Sequence, residues 1–270
     1  MRETLADVVV GYLLAEEELV TPYAATALER LRLPVDAARR LLDHIDAVAP
    51  LHLPTVLAAI SSLEDDALDA EMLDRLKSVR TARTLSASQI TNLYRHRSGE
   101  LQRHAAELVE AIKQPTPDIR QHVNEMLGRL KPGDRLKGYE VFRSSKAACS
   151  ACHKIGYVGT SIGPDLSRIG GTRTRYDLLE AILHPSSRLE QSYQPVSVVT
   201  VDGLTHNGIV KSQTADRIEL VTGPNQTVTL NAADIEEQHP SDVSIMPKGL
   251  DEQISIEELS DLMALLEAAR

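Results

Sequence analysis

Hydrophobic residues recur with helical spacing from Glu3 to about Leu130. Leu5, Val8, Val9, Tyr12 and Leu13 fall at i, i+3, i+4, i+7 and i+8, the stripe an amphipathic helix buries. The same spacing predicts helices near 22–31, 35–47, 54–63, 67–79, 87–95, 99–113 and 117–130. Asp, Ser, Thr or Pro stand at their starts, as in Thr116-Pro117-Asp118. Lys131-Pro132-Gly133 breaks the pattern and predicts a boundary between residues 1–130 and 131–270. Beyond it, Asp134 is placed to cap a helix over about 135–145, and a second helix over 175–183 stops before Pro185. The period then changes to two. Val196-Ser197-Val198-Val199-Thr200-Val201 runs into Asp202-Gly203, a hairpin turn signal. Further strands are expected at 204–211, 216–222 and 226–231, with Gly223-Pro224-Asn225 as another turn. Four short consecutive strands predict a meander closing into a small β-barrel, an insertion at about 194–239. Ser255-Ile256-Glu257-Glu258 is a capping-box sequence that opens a final helix with Ile256, Leu259, Met263 and Leu266 as its buried stripe.

Composition narrows the classes. A chain of 270 residues and 29.6 kDa predicts two compact units. Hydrophobic residues at 42% and charged residues at 25% exclude a disordered or fibrous chain. No apolar run approaches the roughly 20 residues of a membrane-spanning helix, and a net charge of -10 argues against nonspecific nucleic-acid binding. Aromatic residues are 3% of the chain, with one Phe and no Trp, so the core is expected to be aliphatic unless something else supplies bulk. The paired short helices of residues 1–130 resemble a HEAT-type solenoid. No repeat period is visible, and an irregular helical bundle fits them equally well. The acidic runs Glu16-Glu17-Glu18 and Glu64-Asp65-Asp66 lack the glycine-punctuated loop of a hard-cation site and read as solvated helix ends.

Both cysteines of the chain lie in one motif, Cys149-Ser150-Ala151-Cys152, followed at once by His153. Two cysteines are too few for a disulfide framework. Cys-x-x-Cys-His is the attachment pattern of c-type haem. One helical turn brings both thiols to the two vinyl groups of the porphyrin, and the adjacent imidazole falls under the iron. Cys149 and Cys152 are therefore expected to form thioethers and His153 to bind the metal. A structural zinc site wants four ligands, and neither a third cysteine nor a His-x₃₋₅-His follows. A thioredoxin-like pair needs a strand before the motif, where a helix is expected.

Several residues add to that reading. Haem proteins of this kind often place a thioether on the opposite face of the iron. Met72, Met126 and Met263 sit in helical stripes as core, whereas Met246 stands in the loop Ser244-Ile245-Met246-Pro247-Lys248-Gly249-Leu250, stiffened by proline. Met246 is thus the candidate second ligand, with packing under the loop as the alternative. A carbonyl near Pro164, in Gly163-Pro164-Asp165-Leu166, can accept the His153 Nδ1–H and fix its tautomer; an ordinary turn is compatible with that. Gly138 and Phe142 share a helix face, the glycine allowing a close helix crossing and Phe142 reaching toward the porphyrin or filling core. Arg173 and Arg175 are candidates for pairing with propionates.

These elements together resemble class I cytochrome c. More narrowly, residues 162–170, Leu178 to Ser186, the strand block through Val201-Asp202-Gly203, and Met246-Pro247-Lys248-Gly249-Leu250 resemble the planctomycete/verrucomicrobial-type haem-binding domain, over about residues 132–270. The resemblance implies a mostly α protein: a helical, HEAT-like N-terminal array followed by a cytochrome c fold carrying the β insertion. It also implies a domain that follows helical repeats and sugar-dehydrogenase-like propellers in large secreted proteins. Thioether attachment in that family occurs outside the bacterial cytoplasm. The implied location is periplasmic or otherwise exported, with this chain a segment of a longer exported protein, since no signal-peptide hydrophobic region follows Met1.

The expected function is single-electron transfer through one covalent haem c held by His153 and Met246. Donor and acceptor would be a redox partner or a neighbouring dehydrogenase domain, with no nucleic acid and no membrane span. The acidic balance favours a partner with a basic docking patch, an attraction that weakens with salt. One alternative is a haem sensor or haem enzyme with an open or exchangeable sixth position, to which His184, His206 or His239 are further candidate ligands. The other is an interaction module with structural haem.

Overall fold

The computed structural model describes residues 5–14, 24, 27–28, 31, 33–112, 118–224 and 226–270. The described residues form ten α-helices and two sheets, a mixed but mainly helical protein. They divide into two compact units, Met1–Pro115 and Thr116–Arg270. The expected helix at 22–31 and the Glu16-Glu17-Glu18 run fall largely or wholly outside the described residues.

The first unit holds α1 (Leu5–Leu14), α2 (Val35–Asp43), α3 (Leu53–Ser61), α4 (Asp66–Leu76), α5 (Ala87–Tyr94) and α6 (Gly99–Ile112). Ala6, Val9, Val10 and Leu13 are the buried face of α1, so the stripe lies slightly off the expected one: Leu5 and Tyr12 face solvent. One continuous core then runs from α1 to α6, aliphatic apart from Met72 and Tyr94. Asp65 caps α4 by accepting from the amides of Ala67 and Leu68 at 3.0 and 3.1 Å, which gives the second acidic run a helix-start role. A buried ion pair, Asp69 Oδ2 to Arg97 Nε at 3.1 Å, ties α4 to the end of α5, and the same guanidinium reaches the Ser61 carbonyl at the end of α3.

The second unit begins earlier than the expected break at Lys131-Pro132-Gly133. Helix α7 (Ile119–Arg129) belongs to it, because Val123 and Met126 bury their side chains in its core. That core is completed by α8 (Arg135–Arg143), α9 (Arg175–Leu183) and α10 (Ile256–Ala268). Asp134 caps α8 through the Leu136 amide at 2.7 Å, and Ser255 and Glu258 form the capping box that opens α10. The two helices cross at backbone contact. A Cβ on Gly138 would lie 2.0 Å from the Asp261 carbonyl oxygen, so only glycine permits this approach. The Lys131 amide donates to Ser260 Oγ at 3.0 Å and the Asp134 amide to Asp261 Oδ1 at 2.6 Å, stitching the start of α8 to α10.

Between α9 and α10 lies a five-stranded antiparallel sheet, not a closed barrel. A two-residue pair, β1 (Lys154–Ile155) and β2 (Val158–Gly159), precedes it as a separate small hairpin. The sheet consists of β3 (Val196–Thr200), β4 (Thr205–Gln213), β5 (Arg217–Gly223), β6 (Gln226–Asn231) and β7 (Ile235–Pro240), in the order β6-β5-β4-β3-β7. Strand β7, absent from the expected four, pairs with β3 and becomes the second edge. Edges of a flat five-stranded sheet stand about 19 Å apart, whereas the link Ala232–Asp234 between β6 and β7 spans roughly 14 Å at most. The sheet therefore curls, helped by register shifts at Val199/Thr200, Val210/Ser212 and Val221/Gly223. No ladder joins β6 to β7, so both edges stay open. Val198, Ile218 and Leu220 form its small core. No helix among the described residues is long and apolar enough to cross a membrane.

Candidate functional site

The cysteine motif is a single tight turn between α8 and β1. Ala148 adopts a left-handed conformation (φ 50°) and swings the chain off the end of α8. Residues Cys149–Ala151 then form a 3-10 turn, and the amides of Cys152 and His153 both donate to the Cys149 carbonyl, at 3.2 and 2.8 Å. Both cysteines are unpaired and half-buried, Cys149 packing against the core of the second unit.

His153 is fixed from the loop that follows. Its Nδ1 lies 2.9 Å from the Pro164 carbonyl. A carbonyl can only accept, so Nδ1 carries the proton and Nε2 keeps a lone pair. Gly163 lies against the ring: a Cβ there would come within 2.6 Å of His153 Cε1. Its amide donates to the Cys152 carbonyl at 2.8 Å, and the Leu166 amide donates to the Lys154 carbonyl at 2.8 Å, so this loop is laced to the motif on both sides of the histidine. The motif is also held from just past β2, where Thr160 donates through its amide to the Ser150 carbonyl at 3.2 Å and through Oγ1 to the Ala151 carbonyl at 2.7 Å. Neither the Gly163 contact nor the Thr160 bonds carry a motif of their own; only the proline pointed to this loop. Tyr157, at the tip of the β1–β2 hairpin, is wholly exposed.

Burial sets the electrostatics. It depresses the His153 pKa below its ordinary value, with the Pro164 hydrogen bond pulling the other way, so the ring is neutral at pH 7. Burial pushes the Cys149 thiol up to about 12 and the Cys152 thiol to about 11. Nucleophilic or redox cysteines have the opposite shift, because the thiolate is the reactive form. Two thiols held protonated beside a neutral, oriented imidazole are poor candidates for dithiol exchange.

The other expected site residues are scattered around the second unit. Phe142 is fully buried among the side chains of α8, α9 and α10. Met246 is half-buried in the loop between β7 and α10, packs in none of the apolar clusters, and donates its amide to Ser244 Oγ at 3.1 Å. Arg173 forms an ion pair with Glu190, and Arg175 reaches Glu267 at 3.2 Å, so both guanidiniums already face carboxylates. His206 sits on β4, its pKa depressed by burial, and His239 is exposed on β7. His184 ends α9 and faces His122 on α7, their Nε2 and Nδ1 atoms 3.0 Å apart. That pairing spans 62 residues and has no sequence signal. A cleft of about 590 Å³, lined by residues including Arg120, Tyr176, Glu180 and Arg188, shares no lining residue with the cysteine motif. No group of three or more His, Cys, Asp or Glu among the described residues is arranged to hold a metal ion. No protein-family model matches the chain, and no curated protein matches it.

Proposed function

We propose that the chain carries one haem bound covalently through Cys149 and Cys152, ligated by His153 Nε2, and works as a one-electron carrier. The observation that carries this reading is the His153 Nδ1–Pro164 hydrogen bond, which leaves the lone pair on Nε2 of the residue that directly follows two unpaired cysteines in the chain. The residues fit the group. Both thiols lie on one turn, and Gly163 holds the backbone close against the imidazole, where a larger side chain would displace it. Bound haem supplies the single-electron iron couple. The chain's own residues orient the imidazole and keep it neutral, and Cys149 packs with Ile155, Leu166 and Ile169 against one apolar core. Met246 would be the second residue holding the iron, a His/Met pair being one that raises the reduction potential. The helical first unit and the curled sheet would then serve docking within a larger exported redox protein, with a dehydrogenase as donor.

Expression with a c-type maturation system tests the reading. The expected product is coloured, heavier than the bare polypeptide by one haem, and gives the c-type spectrum in reduced alkaline pyridine. Colourless protein at polypeptide mass overturns it. A second reading, an open or exchangeable sixth position, draws on the absence of Met246 from every apolar cluster among the described residues. Immediate carbon monoxide binding by the reduced protein, with a spectrum unchanged in Met246→Ala, would select it.

A further inference from the structure

We propose that His122 and His184 form a proton-sensitive clamp on the loop that carries Met246, holding that loop in neutral solution and releasing it in mild acid. The inference rests on the reading of Met246 as an iron ligand. The rings meet edge-on, their planes at 77° and centroids 5.0 Å apart, with His122 Nδ1 and His184 Nε2 separated by 3.0 Å. Such a bond needs one N–H and one lone pair. It survives the first added proton; a second leaves two N–H groups and two positive charges face to face.

The pair joins α7 to the C-terminal end of α9, where the His184 amide closes the helix on the Glu180 carbonyl at 2.7 Å. The Met246 loop hangs from the same corner. The Ser244 amide donates to Ser186 Oγ at 3.1 Å, two residues past His184, and Ser244 Oγ in turn accepts the Met246 amide at 3.1 Å. The turn Leu250–Glu252 packs against α9. Movement of His184 is therefore passed through Ser186 and Ser244 to Met246.

The charged groups around the pair set the direction. Burial, His122 and Lys248 all oppose a proton on His184, while Glu180, buried on α9 and ion-paired with Arg188 at 3.3 Å, favours it. From the loop side, half-buried Asp251 interacts electrostatically with His122. The bond is thus intact at pH 7 and fails as pH falls below the ordinary histidine value of 6.5.

Hydrogen exchange of residues 241–252 tests this without haem. In the haem-free full chain, protection corrected for intrinsic exchange should fall about tenfold between pH 7.5 and 5.0, with a midpoint below 6.5. In His184→Asn it should stay flat, as it should in His122→Gln, which serves if the first variant folds poorly. A flat wild-type profile, or an undiminished response in either folded variant, overturns the clamp. In the haem-loaded chain the ferric sulfur-ligand signature should fade over the same range in wild type only. A Met246→Ala spectrum identical to wild type at pH 7.5 would remove the ligand reading while leaving the exchange result to judge the clamp.

Discussion

The two units solve the folding problem differently. In the first, Met1–Pro115, thirty buried apolar residues among those described, aliphatic apart from Met72 and Tyr94, form one continuous core. In the second, Thr116–Arg270, thirteen buried residues form the helical core and three more the core of the sheet. Among the described residues the longer unit thus clusters about half as many buried apolar side chains, and burial alone stabilises it less per residue. It relies instead on backbone contact at Gly138, on amide-to-side-chain stitches between α8 and α10, and on polar lacing around His153. A unit held that way tolerates little change at its contacts and gains from any large apolar group bound to it. The first unit is the better candidate for a passive scaffold.

Phe142→Ala should separate the two most strongly. Removing a fully buried ring costs about 3–5 kcal/mol, enough to unfold the second unit in a two-step melt while the transition of the first stays in place. Gly138→Ala should come next, at about 1–3 kcal/mol, because the added methyl meets the α10 backbone; calorimetry would show only the second transition moving. Gly163→Ala should cost less than Gly138→Ala, because a side chain rather than backbone stands in the way, and should alter the ligand spectrum of the haem-loaded chain by pushing on the imidazole.

The first unit has a pH signature of its own. Burial pushes the Asp69 carboxyl up to about 6, against the pull of Arg97. The folded chain therefore takes up this proton at a higher pH than the unfolded chain, whose value is 3.8. Between those values the native state binds more protons, so this carboxyl's contribution to stability is full in acid and is lost as pH rises through about 6. Urea midpoints of the first transition at pH 5 and 7 should show that slope, and Asp69→Asn should flatten it. The smallest effect is the mirror of Gly138: Gly11 and Gly128 lie in α1 and α7 with open space where a Cβ would stand. Alanine at either should stabilise its own unit by about 0.5–1 kcal/mol.

The helices were legible because their stripes and caps are local: α9 spans the expected residues, and both α8 and α10 start at their expected caps. In α1 the stripe was misplaced because Ala6 and Val10 are buried, and a buried alanine leaves little periodic signal. Strand β7 was hidden by Glu236, Glu237 and Pro240, residues that disfavour strands yet suit an exposed edge. The barrel expectation failed because strand count does not reveal whether the last two strands pair. Helix α7 was assigned to the wrong unit because a Pro-Gly break marks a turn, and only packing decides which core a helix joins. At the site, the motif and Pro164 were readable from spacing; the Glu190 and Glu267 partners of Arg173 and Arg175, and the meeting of His122 with His184, depend on folding over long separations.

The stitches between α8 and α10 join residues 127 and 129 positions apart. During synthesis the second unit cannot close until its final helix has left the ribosome, whereas the helix-on-neighbour contacts of the first can consolidate as the chain emerges. Throughout that interval the cysteine motif sits in an incomplete unit, without the helix that supplies Leu259, Leu262, Met263 and Leu266 to the core against which Cys149 packs.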